Sequence, residues 1–320
     1  MKTLPDTLFL HGGPGLHCAV ERAWFGDTLP ILWWDQPGVA GEPDPFRALV
    51  AHAGRQLEAM AESTGGQVNL IAHSFGGQIA AVLAREYPGL IRRITLLGSP
   101  PTPLHAFFNF ARRLLENGYE RPGLKDALAA AKEICDENRF AALIQACYPD
   151  SAIPAIYFGA HSAEARDRYF AVAGKTPPID IATFFAVMRE FLHAPHLTQA
   201  NGHGKHAAPD DETCHDRFPL SNFPPMPSPQ SSPASGRGGK REKQLLIPAG
   251  ERANESLREF QINEYGGEVV MLMGRDDPLL CVEEDPVKWR EVFPQLDLKL
   301  VDCGHIVHLE LPPEAWCGKR

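Results

Sequence analysis

Ser74 is the side chain in this sequence most clearly set up to do chemistry. It stands in Ala72-His73-Ser74-Phe75-Gly76. A short apolar run (Val68, Leu70, Ile71, Ala72) precedes it, long enough for one buried strand of a parallel sheet, and a helix-compatible stretch from Gln78 to Glu86 follows. A strand that must become a helix within about two residues forces tight, strained backbone at the corner. Such a corner lifts the serine side chain into the open and points a helix N-terminus at it. Ala72 and Gly76 are small enough to let neighbouring backbone come close. The bland alternative is an ordinary strand-to-helix turn, because small-x-Ser-x-small recurs by chance. A serine hydroxyl is a weak nucleophile on its own, so the chemistry requires a base, an acid and donors for an oxyanion elsewhere in the chain.

Candidates for each exist. Upstream, the apolar segment Thr7–Leu10 runs into His11-Gly12-Gly13-Pro14-Gly15. Three glycines and a proline in five residues leave backbone N–H groups free to face a ligand, and at a strand end such a loop can supply an oxyanion donor. No Gly-Lys-Ser/Thr follows, so it is not a phosphate cradle. Downstream, Glu268–Met273 ends in Gly274-Arg275-Asp276-Asp277-Pro278, which offers a carboxylate. Leu298–Val301 then leads into Asp302-Cys303-Gly304-His305-Ile306-Val307-His308, which offers an imidazole. His11 and His73 read as structural groups behind the loop and the corner. Asp35, in Asp35-Gln36-Pro37-Gly38, reads as a loop-stabilising carboxylate.

The elements that must position these residues alternate. Strands at Thr7–Leu10, Ile31–Trp34, Val68–Ala72 and Arg93–Leu97 are separated by helical patterns at Phe46–Glu62 and Gln78–Glu86, the rhythm of a parallel α/β sheet with right-handed crossovers. From Thr102 to about His196 that rhythm stops. Ala106–Asn117, Leu124–Glu137 and Ala182–Leu192 look helical and carry Phe107, Phe108, Phe110, Phe184, Phe185 and Phe191. A helical insertion there predicts a lid whose aromatic residues either line an apolar pocket or pack the lid's own core. Between Pro219 and Arg241, 14 of 23 residues are Pro, Ser or Gly, which predicts a disordered linker. His203, His206, Cys214 and His215 lie in that region with nothing nearby to hold them as metal ligands, and Gly236–Lys243 reads as a solvated basic loop. A net charge of −9 argues against nucleic acid as a partner, and no apolar run approaches the roughly 20 residues that span a bilayer. Without a leader-like start, and with seven scattered cysteines lacking C-x-x-C spacing, the chain reads as cytoplasmic with free thiols.

Taken together these pieces resemble the α/β-hydrolase fold family. His-Gly-Gly-Pro-Gly at 11–15 followed by Asp-Gln-Pro-Gly at 35–38 is most similar to its proline iminopeptidase branch. The chain order Ser, Asp, His is the family order. The resemblance implies Asp277 rather than Asp276 as the acid and His305 rather than His308 as the base. It also implies the N–H groups of Phe75 and Gly13 as oxyanion donors. In those roles His305 takes the Ser74 proton and later delivers it to the leaving group, while Asp277 fixes the imidazole tautomer. Pro37 stands where the iminopeptidases carry arginine, and no lid motif matches the acidic residues that hold a substrate's amino terminus, although Glu116, Glu133, Asp136 and Glu137 are carboxylates of the expected lid. The resemblance further implies two strands before His11 and a closing helix after His305, so the expected sheet is shortened at both ends.

The expectation is therefore a mostly parallel α/β-hydrolase sheet formed by 1–101 and 265–320, with a helical lid at 102–200 and a linker at 201–250. The expected activity is hydrolysis of a small ester or amide through an acyl-enzyme, with no cofactor or metal. Expected partners are a small-molecule ester, an amide or a short peptide, not nucleic acid or membrane. Two rivals remain: a proline iminopeptidase, and a non-catalytic protein of the same fold with an incomplete core.

Overall fold

The structure is a computed structural model, and it describes residues 5–119, 121–133, 135–148, 155–193 and 265–317. The expected linker at 201–250, with its histidines, Cys214 and basic run, lies outside the described residues.

Six strands form one sheet: β1 (Thr7–Leu10), β2 (Ile31–Trp34), β3 (Val68–His73), β4 (Ile91–Leu97), β5 (Glu268–Gly274) and β6 (Asp297–Val301), in the order β2-β1-β3-β4-β5-β6. Every neighbouring pair is parallel. The central strands are buried on both faces, which is why Leu8, Phe9, Leu10 and Val269 to Met273 read as unbroken apolar runs rather than alternating ones. The chain leaves β1 toward one edge and returns past it to β3, so the strand order reverses at β1. In open α/β sheets the crevice at the carboxyl ends beside such a reversal is where ligands bind.

Three helices connect the first strands: α1 (Ala19–Phe25), α2 (Pro45–Thr64) and α3 (Gly76–Glu86). Proline at the first turn of α2 and a left-handed Gly65 after its last explain its limits, and its apolar stripe (Leu49, Val50, Ala53, Leu57, Met60) lies in the core. Between β4 and β5 come α4 (Pro103–Glu116), α5 (Leu124–Glu133), α6 (Glu137–Cys147), α7 (Ala163–Ala173) and α8 (Ile181–His193). The single helix expected over Leu124–Glu137 is two helices. Asp136 ends the first run by capping α6, its carboxylate accepting the Arg139 N–H at 2.8 Å, because an aspartate that bonds backbone locally favours a cap over a helix interior. Short helices α9 (Asp285–Val292), α10 (Val307–Glu310) and α11 (Pro313–Trp316) complete the described chain.

Candidate active site

Ser74 stands at the corner between β3 and α3 with φ 51°, and it is the one non-glycine residue with positive φ among the described residues. Such backbone costs about 1–3 kcal/mol and persists only where surroundings hold it. Here the Ser74 N–H donates to Leu97 O at 2.9 Å, and its carbonyl accepts Gly77 N–H at 3.0 Å. Gly76 is required on the other side, since a Cβ there would lie 2.2 Å from the carbonyl oxygen of Leu10. The 11–15 loop lies against the corner just as closely: a Cβ on Gly12 would sit 2.7 Å from Ser74 Cβ.

The loops after β5 and β6 converge on that corner. His305 Nε2 lies 3.0 Å from Ser74 Oγ, and His305 Nδ1 lies 2.9 Å from Asp277 Oδ2. A carboxylate only accepts, so Nδ1 carries the proton and Nε2 is left to accept from the serine hydroxyl. The second Asp277 oxygen accepts the Leu279 N–H at 2.9 Å, and both Asp277 and His305 are buried. Asp276 faces away: it is exposed and accepts the Ala160 N–H at 3.0 Å. His308 likewise turns from Ser74 toward Glu21. Geometry thus tells apart the two members of each candidate pair, which residue types alone left open.

Phe75 follows Ser74 at the corner and Gly13 lies in the loop packed against it, and among the described residues neither N–H donates a hydrogen bond within the protein. Gln36 braces the glycine loop from both ends, donating to His11 O and accepting Gly15 N–H, each at 2.9 Å. Asp35 accepts the Cys18 N–H at 2.8 Å and pairs with Arg22, so its partners lie 17 and 13 residues away rather than in its own turn.

A buried charged cluster lies behind the corner. Glu21 Oε1 receives His308 Nε2 at 2.9 Å and meets His11 Nε2 at 3.2 Å. Burial opposes charge on Glu21, yet His11 and His308 hold its carboxyl well below the usual range. Burial also opposes charge on His11, but Glu21 outweighs it and raises the imidazole. Burial dominates at His73 and His308 and lowers both, most strongly His73, whose Nε2–H donates to His305 O at 3.1 Å.

The inserted segment touches the site at several places, one of them the glycine loop, where Gly15 O accepts the Asp180 N–H at 2.9 Å. From α8, Phe191 packs on Phe75 and Phe46 at ring separations of 5.9 and 5.1 Å, while Thr183 Oγ1 accepts the Val39 N–H at 2.9 Å. From the 155–160 segment, Tyr157 O accepts the His305 N–H at 2.6 Å, and Glu310 joins that segment to the histidine turn by accepting Gly159 N–H at 2.8 Å and Gly304 N–H at 2.9 Å. Phe107, Phe110, Phe140 and Phe184 pack with one another or with Tyr148 and Tyr157, the own-core alternative of the aromatic expectation. Of the carboxylates in the inserted helices, Glu116 and Asp136 pair with nearby arginines, and Glu137 pairs with Arg189. Glu21, Glu310 and Tyr157 carry no sequence signal of their own, Gln36 sits in the Asp-Gln-Pro-Gly turn, and His308 is visible only as the alternative to His305.

Among the described residues no group of three or more His, Cys, Asp or Glu side chains is placed to hold a metal ion, and no helix is long and apolar enough to cross a membrane. Residues 8–132 match the model of a family described as alpha/beta hydrolase fold. This is an α/β-hydrolase fold. The chain is similar to solved structures at low identity, among them a proline iminopeptidase-related protein from Thermus thermophilus (19% identity, 98% of this chain and 87% of that one, TM-score 0.49). Others are a lipase-esterase related protein from Clostridium acetobutylicum (14%, 97% and 91%, TM-score 0.48) and a structure from a study of carboxylesterases of Nitrososphaera gargenis (16%, 97% and 87%, TM-score 0.45). No curated protein matches the sequence.

Proposed function

We propose that this α/β-hydrolase-fold chain is a serine hydrolase that cleaves a small ester or amide through an acyl-enzyme. The observation that carries the reading is the unbroken chain Ser74 Oγ to His305 to Asp277, with contacts of 3.0 and 2.9 Å. Ser74 is the nucleophile, His305 the general base and then acid, and Asp277 the group that keeps the proton on Nδ1 and stabilises the imidazolium. The N–H groups of Phe75 and Gly13 receive the oxyanion of the tetrahedral intermediate, and removing one such donor commonly costs about 10²–10³ in rate. Helices α4 to α8 serve as the lid, through the contacts of Phe191 and Tyr157 with the elbow and the histidine turn.

An amidase that selects a free amino terminus would want a carboxylate facing Ser74. Of the four carboxylates that the sequence offers for that role, Glu116, Asp136 and Glu137 are instead engaged with arginines, and Glu133 lies exposed on α5. This favours ester or simple amide substrates over N-terminal proline release. The test is turnover of p-nitrophenyl butyrate and proline p-nitroanilide side by side, with Ser74→Ala as control. Ester hydrolysis that disappears in the variant supports the reading. Turnover that survives Ser74→Ala, or a folded wild type inert toward both, contradicts it.

A further inference from the structure

The buried cluster behind the corner has a geometry that the triad does not use. His11 Nδ1 lies 2.8 Å from Gly12 O. A carbonyl only accepts, so that nitrogen carries a proton. On the other side of the same ring, His11 Nε2 lies 3.2 Å from the carboxylate of Glu21, itself 3% exposed. An imidazole placed between a carbonyl and a buried carboxylate meets acceptors at both nitrogens, and only the imidazolium can answer both. The direction of the shifts agrees: Glu21 is held ionised and His11 is pushed toward its charged form, burial notwithstanding.

The carbonyl that His11 grips belongs to the peptide joining Gly12 to Gly13. A trans peptide is planar, with its C=O and N–H pointing in opposite directions. Fixing the Gly12 carbonyl toward the buried cluster therefore turns the Gly13 N–H the opposite way. A charge-assisted hydrogen bond at the oxygen also draws electron density through the amide and strengthens the N–H as a donor. We propose that Glu21 and His11 are positioning residues for the oxyanion site: the carboxylate keeps His11 an imidazolium, and the imidazolium orients and polarises the peptide whose N–H receives the oxyanion. His308 anchors the device to the histidine turn, since its Nε2–H donates to the same Glu21 oxygen at 2.9 Å.

The groups that face this pair come from every element around it. His73 lies at the end of β3, with its ring 6.0 Å from that of His11. His308 lies on α10, Cys18 just before α1, Asp35 after β2 and Tyr169 on α7. His73 and His308 are pushed toward their neutral forms, by burial first, so they do not compete with His11 for the role of cation.

The inference rests on the hydrolase reading, and its test separates the two. Active sites are first titrated with a fluorophosphonate so that rates are expressed per reactive serine. Glu21→Gln keeps the side-chain shape and removes the charge. Because a donor is weakened rather than lost, kcat per titrated site should fall about tenfold, with KM within about twofold of wild type. A merely structural role would lower the titratable fraction and leave kcat per site unchanged. In parallel, ¹⁵N-histidine NMR of wild type at pH 7 should show one imidazolium with both nitrogens protonated, absent from His11→Gln. That spectrum decides the case even if Glu21→Gln fails to fold. A neutral His11 in wild type, or an unchanged kcat per site in folded Glu21→Gln, overturns the inference while the hydrolase reading stands. A wild type that neither turns over esters nor takes the phosphonate ends both.

Discussion

Replacing Asp277 by asparagine isolates the tautomer control in this site. The two carboxylate oxygens have different duties: Oδ1 accepts the Leu279 N–H at 2.9 Å and Oδ2 accepts His305 Nδ1–H at 2.9 Å. Asparagine can supply only one oxygen. If that oxygen stays with Leu279, its NH₂ faces His305 Nδ1, which must then become an acceptor and shift its proton to Nε2. A protonated Nε2 cannot take the proton of Ser74. If the amide flips, its NH₂ opposes the Leu279 N–H and two buried donors are left without acceptors. Each costs about 1–3 kcal/mol, so about 4 kcal/mol together, or about 10³-fold in the population of the working tautomer. Loss of the negative charge opposite the forming imidazolium adds to this. The expected fall in kcat is about 10³–10⁴, the range of a tautomer fault in a Ser-His-Asp triad. Because the replacement is isosteric, the unfolding midpoint should move by only a few degrees. Steady-state hydrolysis of p-nitrophenyl butyrate by purified variant, with circular dichroism as a folding control, measures both. A folded Asp277→Asn protein within tenfold of wild type would refute the assignment of Asp277.

Three further outcomes follow from the same geometry. Glu21 has its carboxyl below the ordinary 4.5, so it contributes stability above that pH that is lost as pH falls through its folded value. His11 is raised above the ordinary 6.5, so its contribution is present below that pH and lost as pH rises through its folded value. The difference in urea midpoint between wild type and Glu21→Gln should therefore be widest from about pH 4.5 to 6.5 and shrink on either side; a difference independent of pH would contradict the ion pair. Gly76→Ala places a methyl 2.2 Å from Leu10 O, a backbone atom that cannot swing aside, and should destabilise by about 3 kcal/mol in chemical denaturation; an unchanged midpoint would show that the corner is looser than described. Glu310→Gln removes the charge from the acceptor shared by Gly159 and Gly304, so hydrogen exchange at 155–160 should rise and kcat fall about threefold to tenfold. Unchanged exchange there would mean that the segment is held by Tyr157 O and Asp276 alone.

The fold was legible because the central strands of this sheet are buried on both faces, so they stand out as apolar runs bounded by glycine, proline and charge. The candidate triad was legible for a related reason: each member lies within four residues of a strand's end, among small or turn-forming neighbours. What the sequence hid depends on long-range contact. Glu21 looks like any charged residue of a short helix, and only the fold brings it 2.9 Å from His308, 287 residues away. Glu310 is equally anonymous until the 155–160 segment comes down on the histidine turn. The break between α5 and α6 was missed for a local reason: the apolar spacing runs through it, and only the capping of Asp136 marks the new start. His73 and His11 could be set aside as the base from sequence, but the contact of His11 with Glu21 at 3.2 Å exists only in the fold.

The most direct test of the proposed chemistry is covalent labelling of the intact chain with a fluorophosphonate, followed by peptide mass mapping. One adduct per chain on the peptide containing Ser74, absent in Ser74→Ala and strongly slowed in His305→Ala, is the expected result. A folded chain that takes no label, or takes it at a residue other than Ser74, would contradict the assignment of this site as a serine hydrolase.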